Sequence, residues 1–270
     1  MGHPMKRYWA DYTAYDFARL PRQHVVAVLP VAAIEQHGPH LPLATDRAIL
    51  DGLVAATIER LPADLPAVFL PTQSVGKSDE HIRFPGTLTL SAGTLLQLLA
   101  EIGGSVAAAG IRRFVMLNSH GGNMAVLDLA ARELRIAHDM VAVAANWFAL
   151  GLPDEVIGPN ERLHGLHAGE METAVMLALR PDLVAMERAR DFDSLTERLE
   201  RNFHHLGTGP GARIGWQAQD LNPAGAVGNA AAATAETGQR IVDHAARAIA
   251  QLLEDVHRFP VSLLHNPTEV

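Results

Sequence analysis

The sequence predicts an α/β fold, a three-layer α/β/α arrangement around a mainly parallel central sheet, and three observations point there. Apolar runs of strand length alternate with amphipathic stretches of helix length from Val25 to Ala145. The first strand candidate, Val25 to Leu29, is continuously apolar, as expected of a strand buried on both faces. A chain of 270 residues that is 48% hydrophobic can bury a core large enough for one such domain, so residues 1–270 are read as a single domain.

The elements follow in order. After Val25 to Leu29, Thr45 is placed to cap a helix from Asp46 to Arg60, with Ile49, Leu50, Leu53, Val54 and Ile58 apolar. Ala67 to Leu70 is a second strand. Ser91 caps a helix through Leu95, Leu99, Ile102 and Val106, with Gly110 just past its end. Arg113 to Leu117 is a third strand, Met124 to His138 a helix and Met140 to Ala145 a fourth strand. Such alternation favours a parallel sheet with helices on both faces. Farther on, Glu187 to Arg201 reads as a charged, solvated helix and residues 207–211 as a flexible loop. Ala230 to Ala233 is expected to begin a terminal helix that covers the sheet or builds an oligomer contact.

Composition narrows the function. A net charge of −8 disfavours nucleic acid as a partner, because such binding needs a basic surface to displace counterions. No long uncharged apolar run suggests a membrane span, and the first residues do not resemble a signal-peptide core, so the cytoplasm is expected. Met5 is a candidate native start, with Met1 to Pro4 appended ahead of it. Cysteine is absent, which leaves His, Asp and Glu to hold any metal. That ligand set suits a divalent ion at an open catalytic centre, with zinc favoured and manganese or iron as alternatives.

Three blocks carry the chemistry. Glu35-Gln36-His37-Gly38-Pro39-His40 follows the first strand and leads to Asp46, Asn118-Ser119-His120-Gly121-Gly122-Asn123 follows the third, and His167-Ala168-Gly169-Glu170-Met171-Glu172-Thr173 opens another apolar segment. In open parallel sheets, ligands bind outside the carboxyl ends of the strands. Glu35, His37 and His120 are therefore brought to one edge from more than eighty residues apart. The glycines lack the spacing of a phosphate loop, and Ser119 lacks the elbow of a serine nucleophile.

Together with Phe84-Pro85-Gly86-Thr87 and the stretch from Asp220 to Gly228, these blocks resemble the creatininase, or creatinine amidohydrolase, family. The resemblance implies a three-layer subunit with a dinuclear metal centre, assembled into a homohexamer. It also implies that Asp46 bridges two ions, that Glu35 and His120 serve one, and that His37 serves the other. A carboxylate between two ions is chemically apt, since its two oxygens can bind one each. The implied reaction is hydrolysis of a C–N bond in a small cyclic or linear amide by a metal-bridging hydroxide. A formamide deformylase, a cofactor-maturation peptidase and a non-catalytic metal-binding member stay open as alternatives, as does a phosphoesterase of another class.

One departure stands out. Creatinine-hydrolysing members carry a tyrosine and a metal-binding glutamate after the histidine of the third strand, whereas this chain has Gly121 and Gly122. Glu170 is the candidate replacement ligand and Glu172 its competitor, with a catalytic part as its other reading. On a helix the two point about 200° apart, so both can hardly face one ion. The glycine pair opens the substrate pocket and makes creatinine a doubtful substrate. His167 is the candidate proton donor to the leaving nitrogen, because imidazole titrates near neutral pH. His81 is placed on the pocket wall or the surface, His40 behind a ligand or in a plain turn, and Trp147 against the substrate or in the core.

Overall fold

The computed structural model describes residues 5–208 and 211–264. Met1 to Pro4, and Gly209 and Pro210 of the expected loop, lie outside the described residues. The central sheet contains β1 (Val26–Val31), β2 (Ala67–Phe69), β3 (Arg113–Asn118) and β4 (Val141–Asn146). Its order is β2-β1-β3-β4 and every pairing is parallel. The helices are α1 (Thr45–Ile58), α2 (Ala92–Ala108), α3 (Met124–His138), α4 (Pro159–His164), α5 (Glu170–Leu179), α6 (Leu195–Asn202) and α7 (Ala235–Arg258), with shorter helical turns between them.

Strand periodicity divides the core into two layers. Val26, Val28, Val115 and Leu117 face a cluster built with α1, α5 and α7. Ala27, Leu29, Phe114 and Met116 face the opposite cluster, built with α2 and α3. The sheet is thus covered on both faces, as its apolar strands require. Ser91 caps α2 by accepting from the Thr94 amide at 3.1 Å, and Gly110 takes the left-handed conformation at φ +85° beyond its end.

Several boundaries differ from the sequence reading. β1 runs past Leu29 through Pro30 to Val31, because β2 has already ended on that side. Only the Pro30 carbonyl is needed there, and it accepts from the Gln73 amide at 2.9 Å. Thr45 is the first residue of α1 rather than its cap, and its hydroxyl donates to the Pro42 carbonyl at 2.7 Å. The Glu187 to Arg201 stretch is a 3-10 turn, a two-residue strand at Asp191–Phe192 and only then α6. Ala230–Ala232 forms a 3-10 turn, and α7 starts at Ala235 with Thr234 as its cap.

The packing of α7 on α5 matters for the site, because α5 carries Glu170 and Glu172. Gly238 of α7 lies against the α5 backbone, where a Cβ would stand 1.8 Å from the Ala174 carbonyl oxygen. Gly238→Ala should therefore force the helices apart and destabilise the protein by about 1–3 kcal/mol, the usual cost of overpacking. Urea unfolding would show this as a lower midpoint with an unchanged slope.

Candidate metal centre

The carboxyl ends of the neighbouring strands β1 and β3 supply the site. Beyond β1 the chain turns at Gly38, whose φ of +65° favours glycine, and places Glu35 and His37 before returning to α1. Asp46 lies in the first turn of α1. His120 follows β3, and its loop is laced by two amides. Asn118 Nδ2 donates to the His120 carbonyl at 2.7 Å, and Asn118 Oδ1 accepts from the His120 amide at 3.1 Å. Asn123 Nδ2 donates to Asn118 Oδ1 and to the Ala32 carbonyl, while its Oδ1 accepts from the Lys77 amide at 2.9 Å. Three separate loops are tied together by these bonds.

Asp46 sits between two imidazoles. His37 Nε2 is 3.6 Å from Asp46 Oδ1, and His120 Nδ1 is 3.5 Å from Asp46 Oδ2. Glu35 Oε2 lies 3.2 Å from His120 Nε2, while Glu35 Oε1 lies 3.3 Å from His81 Nε2 and 3.8 Å from His167 Nδ1. Glu172 Oε2 approaches His37 Nε2 at 3.9 Å. Among the described residues, three trios converge closely enough to share an ion: Glu35, Asp46 and His120; His37, Asp46 and Glu172; and Glu35, His37 and His167.

Hydrogen bonds fix the faces of several rings. His37 Nδ1 donates to the Glu35 carbonyl at 3.1 Å, which turns Nε2 toward the centre. His167 Nε2 donates to the Gln36 carbonyl at 2.8 Å, so its Nδ1 faces inward. Gln36 Nε2 donates to His81 Nδ1 and to the Gly225 carbonyl, each at 2.8 Å, which directs the His81 Nε2–H toward Glu35.

Burial would by itself raise Glu35, but His120, His81 and His167 surround it and hold it well below the usual carboxylate range. Burial pushes Asp46 upward, and the charge of Glu35 adds to that effect. His37 and His120 are raised to about 9 and about 10, because their carboxylate neighbours, led by Asp46 and Glu35 respectively, outweigh desolvation. His81 and His167 are pushed down to about 4 and about 3, chiefly by burial.

The residues fit a metal on a separate count. Both carboxylate oxygens of Glu35, His37 Nε2 and Asp46 Oδ2 are buried without hydrogen-bond partners. Such groups are costly in a protein interior unless something compensates them. Divalent cations would compensate them all at once, since the orphaned atoms are oxygens and imidazole nitrogen.

The structure also sorts the remaining site residues. Glu172, rather than Glu170, reaches the cluster. Its Oε2 accepts from the Ala168 amide at 2.5 Å, which turns the side chain back over the first turn of α5 toward His37. Glu170 belongs to none of the convergent trios, and its amide donates to Glu161 Oε1 at 2.7 Å. Trp147 is not a pocket residue. The 3-10 turn after β4 tucks it into the core, where it is 2% exposed. His81, Gly121 and Gly122 do line a cavity of about 640 Å³ that opens onto Asp46, His120, His167 and Glu172. Phe148, Trp216, Arg162, Arg213 and Glu80 line it too and were missed, because they lie outside the three histidine blocks. His40 does not face the centre; its Nε2 pairs with Thr173 Oγ1 at 2.9 Å, beside Glu172. Ser119 Oγ donates to the Asp46 carbonyl at 2.9 Å.

The chain is similar to known proteins over most of its length. A family model described as Creatininase: Creatinine amidohydrolase matches residues 10–253. A mycofactocin precursor peptide peptidase of Mycobacterium ulcerans (strain Agy99) is 34% identical over 231 residues, 83% of this chain and 82% of that protein. A protein of the same name from Mycolicibacterium smegmatis is 38% identical over 159 residues, 58% of this chain and 59% of that protein. A solved structure described as creatininase Mn superposes with a TM-score of 0.74 at 27% identity, covering 93% of this chain and 98% of the other. No helix among the described residues is long and apolar enough to cross a membrane.

The raised imidazoles have a consequence for the metal-free protein. A group whose pKa is higher folded than unfolded stabilises fully below its unfolded value and loses that contribution as pH rises through the folded one. For His37 and His120 that window runs from about 6.5, the ordinary imidazole value, to about 9 and about 10. The urea midpoint of metal-free protein should fall across this range, and a flat profile would contradict the buried imidazolium pairs.

Proposed function

The chain belongs to the creatininase family, and from that premise we propose that it is a metal-dependent hydrolase cleaving a C–N bond in a peptide-derived amide rather than in creatinine. The observation that carries the reading is the convergence of orphaned, buried carboxylate and imidazole atoms on one cavity. Glu35, Asp46 and His120 would hold one divalent ion and His37, Asp46 and Glu172 a second, with Asp46 between them. Zinc or manganese suits this donor set, with iron as the further possibility. Bound there, such ions supply a polarised carbonyl and a water acidic enough to react near neutral pH.

The chain's own residues do the rest. His167 is kept neutral by burial, with its Nε2–H anchored on Gln36 and its Nδ1 lone pair toward the centre. It therefore enters as a proton acceptor, and it can protonate the leaving nitrogen only after accepting a proton. Gly121 would meet nothing within 4 Å if it carried a Cβ, so this wall is open. Trp216 and Phe148 in the same lining offer flat apolar surface, and Arg213 a cation. A space of about 640 Å³ is the size of a pocket for a drug-sized ligand. The peptide substrates implied by the names of the mycobacterial relatives suit it. Hexameric assembly belongs to the same proposal.

Asp46→Ala should abolish both metal binding and hydrolysis, measured by elemental analysis and turnover; an active, metal-loaded variant would refute the shared carboxylate. His167→Ala should keep its metal and lose about 10²–10⁴-fold in kcat, the range for a general acid–base. Metal loss would instead make His167 a ligand. With manganese or zinc added, mass spectrometry should detect cleavage of mycofactocin precursor peptide, while creatinine is turned over poorly; the reverse preference would overturn the substrate assignment.

A further inference from the structure

Gly122 has no side chain, and the space one would fill is already taken. A Cβ at this position would stand 2.2 Å from Glu80 Oε1, 2.4 Å from His120 Nε2 and 2.4 Å from the Lys77 carbonyl oxygen. Heavy atoms do not approach so closely, so glycine at 122 is what admits Glu80 beside His120. Glu80 arrives from the loop that follows β2, and its side chain is only 14% exposed. Its Oε1 lies 3.6 Å from His120 Nε2, while its buried Oε2 lacks a hydrogen-bond partner. Lys77 Nζ stands 3.5 Å away and is shared with Asp79. An enclosed carboxylate is costly to hold, and this one lies between the Lys77 ammonium and the Nε2 edge of His120.

That edge is informative. His120 Nε2 donates to the Lys77 carbonyl at 2.8 Å, with Glu35 Oε2 at 3.2 Å, Ser78 Oγ at 3.3 Å and Glu80 Oε1 at 3.6 Å around the same edge, while Nδ1 on the other side of the ring faces Asp46. Imidazoles that bind metals through one nitrogen are commonly oriented through the other, often by a carboxylate. We propose that Glu80 is a positioning residue that acts through His120: admitted by Gly122, it holds the Nε2 edge so that Nδ1 is aimed into the centre. The inference rests on the reading of the site as a metal centre. Where the resemblance leads one to expect a glutamate at 122, this chain brings a carboxylate to the same place from a different loop.

Calorimetric titration of metal-free protein with Mn²⁺ or Zn²⁺ tests the idea. The unsubstituted chain should bind two ions, and Glu80→Gln should weaken one of them by about 10–100-fold, leaving the thermal midpoint of the metal-free protein unchanged. Gly122→Ala should push Glu80 aside and weaken the same ion. Equal affinity in Glu80→Gln would overturn the role of Glu80 while leaving the metal centre standing. Should Gly122→Ala fail to fold, the isosteric Glu80→Gln still decides. No ion bound by the unsubstituted chain would refute the metal-centre reading itself, and this inference with it.

Discussion

The structure is organised around a cluster of buried carboxylates whose charge has to be answered locally. Glu35 and Asp46 are almost wholly enclosed, and the atoms they present to each other's neighbourhood have no hydrogen bonds. Carboxylates this deep survive as anions only beside positive charge. In the metal-free state His37 and His120 carry that charge, which is why their pKa values rise although burial opposes it. Metal ions would replace those protons, so metal binding and proton release are coupled at this site. The same groups thus act as stabilising ion pairs in one state and as ligands in the other.

Holding such a cluster in place takes supports that themselves touch no reacting atom. Glu161 is one: Oε1 accepts from the Glu170 amide at 2.7 Å and Oε2 from the Asn229 amide at 2.8 Å. Gly165, Gly169 and Gly228 pack so closely around it that a Cβ on any of them would lie within 2.4 Å of its carboxylate. Glu161 therefore anchors the start of α5, and with it Glu172. Ala168, next to His167, has φ +54°, a left-handed conformation that costs a residue with a Cβ about 1–2 kcal/mol. The strain buys the reversal that lets the Ala168 amide donate to Glu172.

What the sequence disclosed and what it withheld follow from how local each signal is. Glu35, His37, Asp46 and His120 were legible because each lies within a few residues of a strand end or helix start, and a parallel sheet puts such ends on one edge. The choice between Glu170 and Glu172 was not, because the helical repeat gives only their angular separation. Which one faces inward depends on the rotation of α5, set by distant contacts such as Gly238 of α7 and Glu161 of α4. The two tryptophans fail for a related reason. Trp147 immediately follows a strand, yet a 3-10 turn rotates it into the core, while Trp216 lies in a loop without periodicity and reaches the cavity through tertiary packing. Pro30 hid the last residues of β1, since sequence cannot show that the neighbouring strand has already ended.

The two glycines after His120 have different consequences, although they look alike in sequence. Gly121 faces open space, so a side chain there would narrow the cavity without disturbing the centre. Gly122 faces Glu80 and His120, so a side chain there would disturb the centre directly. Substrate size and metal geometry are therefore governed by adjacent residues that can vary separately. A chain that exchanges a carboxylate at 122 for one at 80 keeps negative charge beside His120 while removing bulk from the cavity side of the loop. On this argument Gly122 is less a lost ligand than a relocation of charge, and it is Gly121 alone that leaves the cavity wall open.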